Sequence, residues 1–341
     1  MAVKTMMLTA EEVEKAAALL RNGEVVAFPT ETVYGLGANA LDREAVEKIF
    51  QAKGRPQDNP LIVHCFTRAQ LTDLVTEIPP EAKILMDKFW PGPLTLVLPK
   101  SAAIPQVVSA GLDTVGIRIP DHPLALELIQ KTGFPLAAPS ANLSGRPSPT
   151  RAEHVWADLQ GKIPAILDGG ETGWGLESTV LDCTVKPFRL LRPGGVTLEE
   201  LQALTSIQVD TTIYGASLDA TPASPGMKYQ HYAPQAEVFL VLGQNTPAKI
   251  GELSEDYLEV GKRVGVMTWD ERCQLYPRLT CLPMGPSGDL SILATKLYHL
   301  LRESDRLGLD VLFIEGVSEE HLGLAIMNRL RKAANEQVIH T

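Results

Sequence analysis

A succession of short apolar runs, each cut off by proline, glycine or a polar turn, most limits what this chain can become. "EVVAFP" (24–29), "LIVHCF" (61–66), "LTLVLP" (94–99) and "TVGIRIP" (114–120) are too short for a buried helix. So are "FPLAAPSAN" (134–142), "PAILDGG" (164–170), "ESTVLDC" (177–183) and "FRLLRPG" (188–194). All suit strands or strand ends. The N-terminal segment reads instead as a helix, with Thr9 and Glu12 as a capping box and Gly23 as its stop. "TETVYGLGANALD" then reads as a loop with two glycines. A second helix from Asp42 to about Lys53 puts Ala45, Val46, Ile49 and Phe50 on one face. Helical spacing returns near 68–76, 80–88, 122–132 and 197–204. Strands with irregular helix insertions predict an α/β domain on a mixed sheet.

After residue 235 the rhythm changes. "AEVFLVLG" (236–243), "RVGVMTW" (263–269) and "VLFIEGV" (311–317) alternate with helical segments near 246–258, 289–307 and 322–335. Asp289 caps the second of these, and Leu290, Leu293, Leu297, Leu300 and Leu301 form its inner face. Such alternation predicts a smaller parallel sheet, Rossmann-like in outline. No GxGxxG follows its first strand, so a dinucleotide site has little support. The intervening stretch is rich in Pro, Ala, Ser and Gly, as linkers are. It ends in "GMKYQHYAP", whose side chains a plain linker does not need. The expected division is a catalytic domain over 1–205, a linker or active-site lid over 206–235, and a C-terminal domain over 236–341.

With 45% hydrophobic and 21% charged residues, the 341-residue chain has the profile of a soluble globular protein. A formal net charge of −10 argues against coating nucleic acid through bulk positive charge. Cys65, Cys183, Cys273 and Cys281 are scattered, with no CxxC pair, and read as buried free thiols in a reducing compartment. No run approaches membrane-spanning length and no signal peptide is evident, so the cytoplasm is expected.

Several polar groups lack an ordinary explanation. Arg55 follows a helix end and is flanked by Pro56 and Pro60, which stiffen the loop that carries it. A held guanidinium grips phosphate or carboxylate with paired hydrogen bonds. Lys53 ends the helix, where the helix dipole already favours a cation. Thr30, Glu31 and Thr32 lie where a strand ends, the usual ligand position in open α/β sheets. His64 suits either a core strand or a site. Arg118 sits in an apolar strand and needs a partner or a pocket, with Asp113 the one nearby acid. Ser140, Asn142, Ser144 and Ser148 line a turn whose backbone N–H groups can cradle an anion. Thr150 and Glu153 form a T-x-x-E box that accounts for Thr150 as a helix cap. Arg192 ends another strand. Arginines at 55, 118 and 192 in an acidic chain point to an anionic small molecule. Neither a P-loop, an HExxH pair nor a GxSxG elbow is present.

In order, "FPTETVYGLGANA", "KGRPQDNPL", "FWPGPLTLVL", "VGIRIPDHP", "PSAN", "SANLSGRPSPT", "ESTVLD" and "LRPGG" resemble the YrdC-domain family, whose signature is K-x-R…S-x-N. "SPGMKYQHYAP" and the C-terminal α/β domain are similar to its two-domain form. The resemblance implies a YrdC-like twisted mixed sheet with helices, plus the smaller Rossmann-like domain. It also implies synthesis of threonylcarbamoyl-AMP from L-threonine, bicarbonate and ATP, with release of pyrophosphate. The product would feed N6-threonylcarbamoyladenosine in tRNA, through partner proteins that carry out the transfer.

Carried over by position, Thr32, His64, Arg118, Ala138 and Ser178 would hold threonine. Arg55, Asn59, Thr114, Ser140, Asn142, Ser148 and Arg192 would hold ATP. Separately, the aromatic residues Tyr229, His231 and Tyr232 of "GMKYQHYAP" are expected to fold over the nucleotide as a lid that excludes water. Lys53 and Arg55 would act on the phosphates. Magnesium is implied as bound through phosphates and water, without protein ligands. An RNA-binding module without synthase activity is the alternative, and a weak direct tRNA contact is compatible with either.

Overall fold

The computed structural model describes residues 3–214 and 232–341. They fall into two compact units, the second comprising the chain from 232 on together with Gly145–Pro147.

The first unit is built on β1 (Met6–Leu8), β2 (Val26–Phe28), β3 (Gly35–Asn39), β4 (Ile62–His64), β5 (Leu94–Pro99) and β6 (Thr114–Arg118). It continues with β7 (Leu136–Ala137), β8 (Ala165–Leu167), β9 (Thr179–Asp182), β10 (Phe188–Arg192) and β11 (Ile207–Val209). Their order in the sheet is β1-β8-β2-β3-β7-β4-β6-β5-β9-β10-β11, with parallel and antiparallel neighbours mixed. Helices Val13–Arg21 and Pro123–Thr132 bury Ala17, Leu20, Leu128 and Ile129 in one core with Phe28 and Leu167.

Three local expectations change. "GLGAN" is not a loop but the buried strand β3, antiparallel to β2 and β7. Its glycines serve packing, since a Cβ on Gly37 would lie 2.8 Å from the Phe28 ring. The first helix begins only at Val13, after a 3-10 turn over Ala10–Glu12 that does carry the Thr9–Glu12 capping box. Thr150 does not cap the helix Ala152–Leu159, whose N-cap is Arg151. Thr150 is fully buried and its carbonyl accepts from Thr172 N, so it belongs to the wall of the unit.

The second unit holds β12 (Glu237–Leu242), β13 (Val264–Thr268), β14 (Thr280–Pro283), β15 (Val311–Glu315) and β16 (Val338–His340). They run parallel in the order β14-β13-β15-β12-β16. Helices Thr246–Glu259, Leu290–Arg306 and Leu322–Ala333 connect them, and Asp289 caps the second by accepting from Ser291 N and Ile292 N. At the end of β15, buried Glu315 accepts hydrogen bonds from Thr268 Oγ1, Tyr276 Oη and Arg272. Cys65 and Cys183 are buried free thiols, but Cys273 and Cys281 form a disulfide across Cα atoms 5.7 Å apart. The short return from β13 to β14 brings that pair together, which corrects the reading of all four as free.

Candidate active site

The helix Arg43–Lys53 starts at Asp42, whose carboxylate accepts from Glu44 N and Ala45 N. It stops at Gly54, which takes the left-handed conformation (φ 62). This abrupt stop leaves Lys53 buried in the last turn and sends Arg55 out on the loop that leads to β4. Lys53 Nζ donates to the carbonyls of Ser140 (2.6 Å) and Asn142 (2.5 Å). Ser144 N in turn donates to Lys53 O, and Ser140 Oγ donates to Asn142 Oδ1. The K-x-R and S-x-N segments are thus bonded directly to each other. Arg55 is half-buried, and its Nη2 donates to the carbonyls of Asn59 (3.3 Å) and Pro60 (3.2 Å).

A second cluster forms where β4 and β6 end. The two strands run parallel with His64 opposite Arg118. Arg118 Nη1 donates to Thr32 Oγ1 (2.9 Å), and Nη2 donates to Glu31 Oε2 in a buried salt bridge (2.6 Å). The acid that satisfies Arg118 is therefore Glu31, not Asp113. The turn after β2 is itself fixed: Thr30 Oγ1 donates to Val33 O, and Trp174 N donates to Glu31 O.

Burial first, and then the neighbouring Arg118 cation, pushes His64 down to about 3. Its ring meets Phe28 edge-on, with centroids 6.1 Å apart. A histidine held neutral in the fold takes its proton first in the unfolded chain. Stability is therefore full above the ordinary value of 6.5 and is lost as pH falls from there towards 3. His64→Gln should flatten this dependence by about 2 kcal/mol between pH 7 and pH 5, as measured by urea unfolding at the two values.

The remaining residues extend the cluster along the sheet. Ser178 Oγ lies 2.8 Å from Thr95 Oγ1, and Arg192 donates from Nε and Nη2 to Ser178 O and from Nη2 to Ser178 Oγ. Ser148 Oγ donates to Glu177 Oε1 at 2.5 Å. By strand register, Ser178 and Arg192 lie toward the Arg118 end of β6. Arg55, Asn59 and Thr114 lie at the entering ends of β4 and β6, and Thr114 is four residues of extended chain, about 13 Å, from Arg118. Ala138 sits between the two ends, donating its N–H to Ile62 O. Arg118 and Arg192 end strands, whereas Arg55 lies on the loop before β4.

Tyr232 stacks on Tyr298 within the second unit, with ring centroids 5.1 Å apart. His231 lies outside the described residues. Sequence reasoning named Glu31 only as part of a strand end and Glu177 only as the start of a strand. It did not single out Thr95. The acid between two threonines in "TET" was the available signal for Glu31. Among the described residues, no group of three or more His, Cys, Asp or Glu side chains could hold a metal ion.

Comparison with known proteins agrees with this architecture. The Sua5/YciO/YrdC family model, described as "Telomere recombination", matches residues 18–194. The model described as "Threonylcarbamoyl-AMP synthase, C-terminal domain" matches residues 196–335. Threonylcarbamoyl-AMP synthase of Pyrococcus abyssi is 52% identical over 330 residues, covering 95% of this chain and 94% of the relative. The Bacillus subtilis protein of the same name is also 52% identical, with 96% and 94% covered. The crystal structure of P. abyssi Sua5 complexed with L-threonine superposes with a TM-score of 0.93 at 50% identity, covering 99% of both chains. The chain belongs to the Sua5/YciO/YrdC family, in the form that carries the threonylcarbamoyl-AMP synthase C-terminal domain.

Proposed function

We propose that the chain is an L-threonylcarbamoyladenylate synthase. It condenses L-threonine, bicarbonate and ATP into threonylcarbamoyl-AMP and pyrophosphate, for N6-threonylcarbamoyladenosine modification of tRNA. The observation that carries this reading is the bonding of Lys53 to the carbonyls of Ser140 and Asn142, alongside a separate buried cation at Arg118. A nucleotide and an amino acid need two such anchors, one for phosphates and one for a carboxylate. We assign Arg118, with Thr32, His64, Ala138 and Ser178, to threonine. Arg55, Asn59, Thr114, Ser140, Asn142, Ser148 and Arg192 are assigned to ATP. Lys53 acts by shaping the Ser140–Asn142 turn.

The chemistry asks for positioning rather than a protein nucleophile. The threonine amine and bicarbonate give a carbamate and water. A carbamate oxygen then attacks the α-phosphorus of ATP, and pyrophosphate leaves. Fixed donors around the phosphates offset the charge that builds there. Magnesium would be held by phosphate oxygens and water, since the described residues supply no protein cluster for it, and no step here is routed through it.

Among the described residues, no helix is long and apolar enough to cross a membrane. Cytoplasmic action, handover to a threonylcarbamoyl-transferring partner and a weak tRNA contact belong to the same proposal. The domain limits 1–205, 206–235 and 236–341 belong to it as well. The net charge of −10 disfavours RNA binding as the main role.

The test is pyrophosphate release from ATP and bicarbonate with and without L-threonine; release that ignores threonine overturns the proposal. Arg55→Ala should lower the threonine-dependent rate about 10²–10³-fold, as for removal of one transition-state donor. The fold should survive, because Arg55 is half-buried on a loop and its bonds to the Asn59 and Pro60 carbonyls are long. Near-normal turnover of a folded Arg55→Ala protein would count against its place at the phosphates.

A further inference from the structure

Glu31 is placed in a way that packing alone does not require. Its carboxyl group is nine-tenths buried, yet only Oε2 meets Arg118. An acid that served solely to neutralise the arginine would pair both oxygens with the planar fork. Here the second guanidinium nitrogen goes to Thr32 instead. Glu31 Oε1 and Arg118 Nε are both buried and have no hydrogen-bond partner. One ion pair therefore carries two unsatisfied ends, an acceptor on its anion and a donor on its cation. Buried polar groups are rarely left so, because each costs about 1–3 kcal/mol, and more when charged. The exceptions gather at functional sites.

We propose that this pair recognises the amino acid as a zwitterion: Arg118 takes the α-carboxylate, and Glu31 Oε1 accepts a hydrogen bond from the α-ammonium of threonine. The assignment rests on the synthase reading above, which names threonine but gives Glu31 no role. A zwitterion of zero net charge enters a pair of zero net charge, so no uncompensated charge is buried. The threonine hydroxyl could also donate to Oε1, but it would leave the ammonium to find another anion. Trp174 N and the Thr30 turn fix the backbone at Glu31, so its carboxylate is set before the ligand arrives.

The experiment is calorimetric titration of the full-length protein and its Glu31→Gln variant with three ligands. These are L-threonine, L-2-aminobutyrate (no hydroxyl) and 3-hydroxybutyrate (no amine). The variant should bind both amino acids about 10–100-fold more weakly and leave 3-hydroxybutyrate within about twofold. An equal loss for all three ligands reduces Glu31 to a support for Arg118 and overturns the proposal. A loss for threonine that spares 2-aminobutyrate assigns Oε1 to the hydroxyl and overturns it too. If Glu31→Gln does not fold, Glu31→Asp, which keeps the charge but withdraws the oxygen, must show the same selective loss. Wild-type protein that binds no threonine overturns the synthase reading, and this assignment with it. Wild-type binding with unselective loss in the variant overturns only the role of Glu31.

Discussion

Arg118→Ala is expected to abolish threonine-dependent pyrophosphate release and to lower stability by about 3–5 kcal/mol, the usual cost of breaking a buried ion pair from one side. The cost arises because Glu31 would be left as a buried carboxylate with neither oxygen paired. Glu31→Ala added to Arg118→Ala removes that stranded charge. The double variant should recover most of the lost stability, as read by urea unfolding, and none of the activity. Separating the two readouts in this way distinguishes an arginine that only fills a structural gap from one that holds substrate. If the double variant regains turnover as well as stability, Arg118 does not touch threonine.

Lys53→Met should have the next largest effect. The substitution keeps the apolar stem and removes the ammonium, leaving the buried carbonyl of Asn142 and the part-buried one of Ser140 without their charged donor. A stability loss of about 2–4 kcal/mol is expected. The Ser140–Asn142 turn should also loosen, so the KM for ATP should rise about 10–100-fold while the KM for threonine changes little. Lys53→Arg should not rescue it, since a planar guanidinium does not fit between two carbonyls shaped for a compact ammonium. A large fall in kcat with an unchanged KM for ATP would instead put Lys53 on the transferring phosphate.

Much of this arrangement could be read from the chain because its strands are short, apolar and sharply ended. The runs over 61–66, 94–99, 114–120 and 188–194 become β4, β5, β6 and β10 nearly as written. β3 was hidden because its glycines have no side chain to show a strand pattern. They are there to accommodate the Phe28 ring, a demand that becomes visible only once β2 lies beside them. β1, β14 and β16 were hidden because short edge strands carry little apolar signal. In the site, the types of residue were legible and the pairings were not. Arg118 advertised a need for an acid, but Glu31, 87 residues away, could not be chosen over nearby Asp113 without the fold. Arg55 and Arg192 advertised anion binding, yet only the fold gives Arg55 the carbonyls of Asn59 and Pro60 and gives Arg192 the carbonyl and hydroxyl of Ser178.

The same long reach has a consequence for how the chain is made. The ammonium of Lys53 finds its carbonyl at Asn142 only after 89 further residues have been added. At about 5–20 residues per second, that leaves a cation destined for the interior waiting on the order of ten seconds during translation. Glu31 waits about as long for Arg118. Neither anchor of the site can form from a partial chain, so a nascent polypeptide stalled before residue 118 exposes both groups to water and to quality control. Ribosome pausing within the stretch from 53 to 142 should therefore cost more protein than pausing after 192, where every strand that carries a site side chain has already been synthesised.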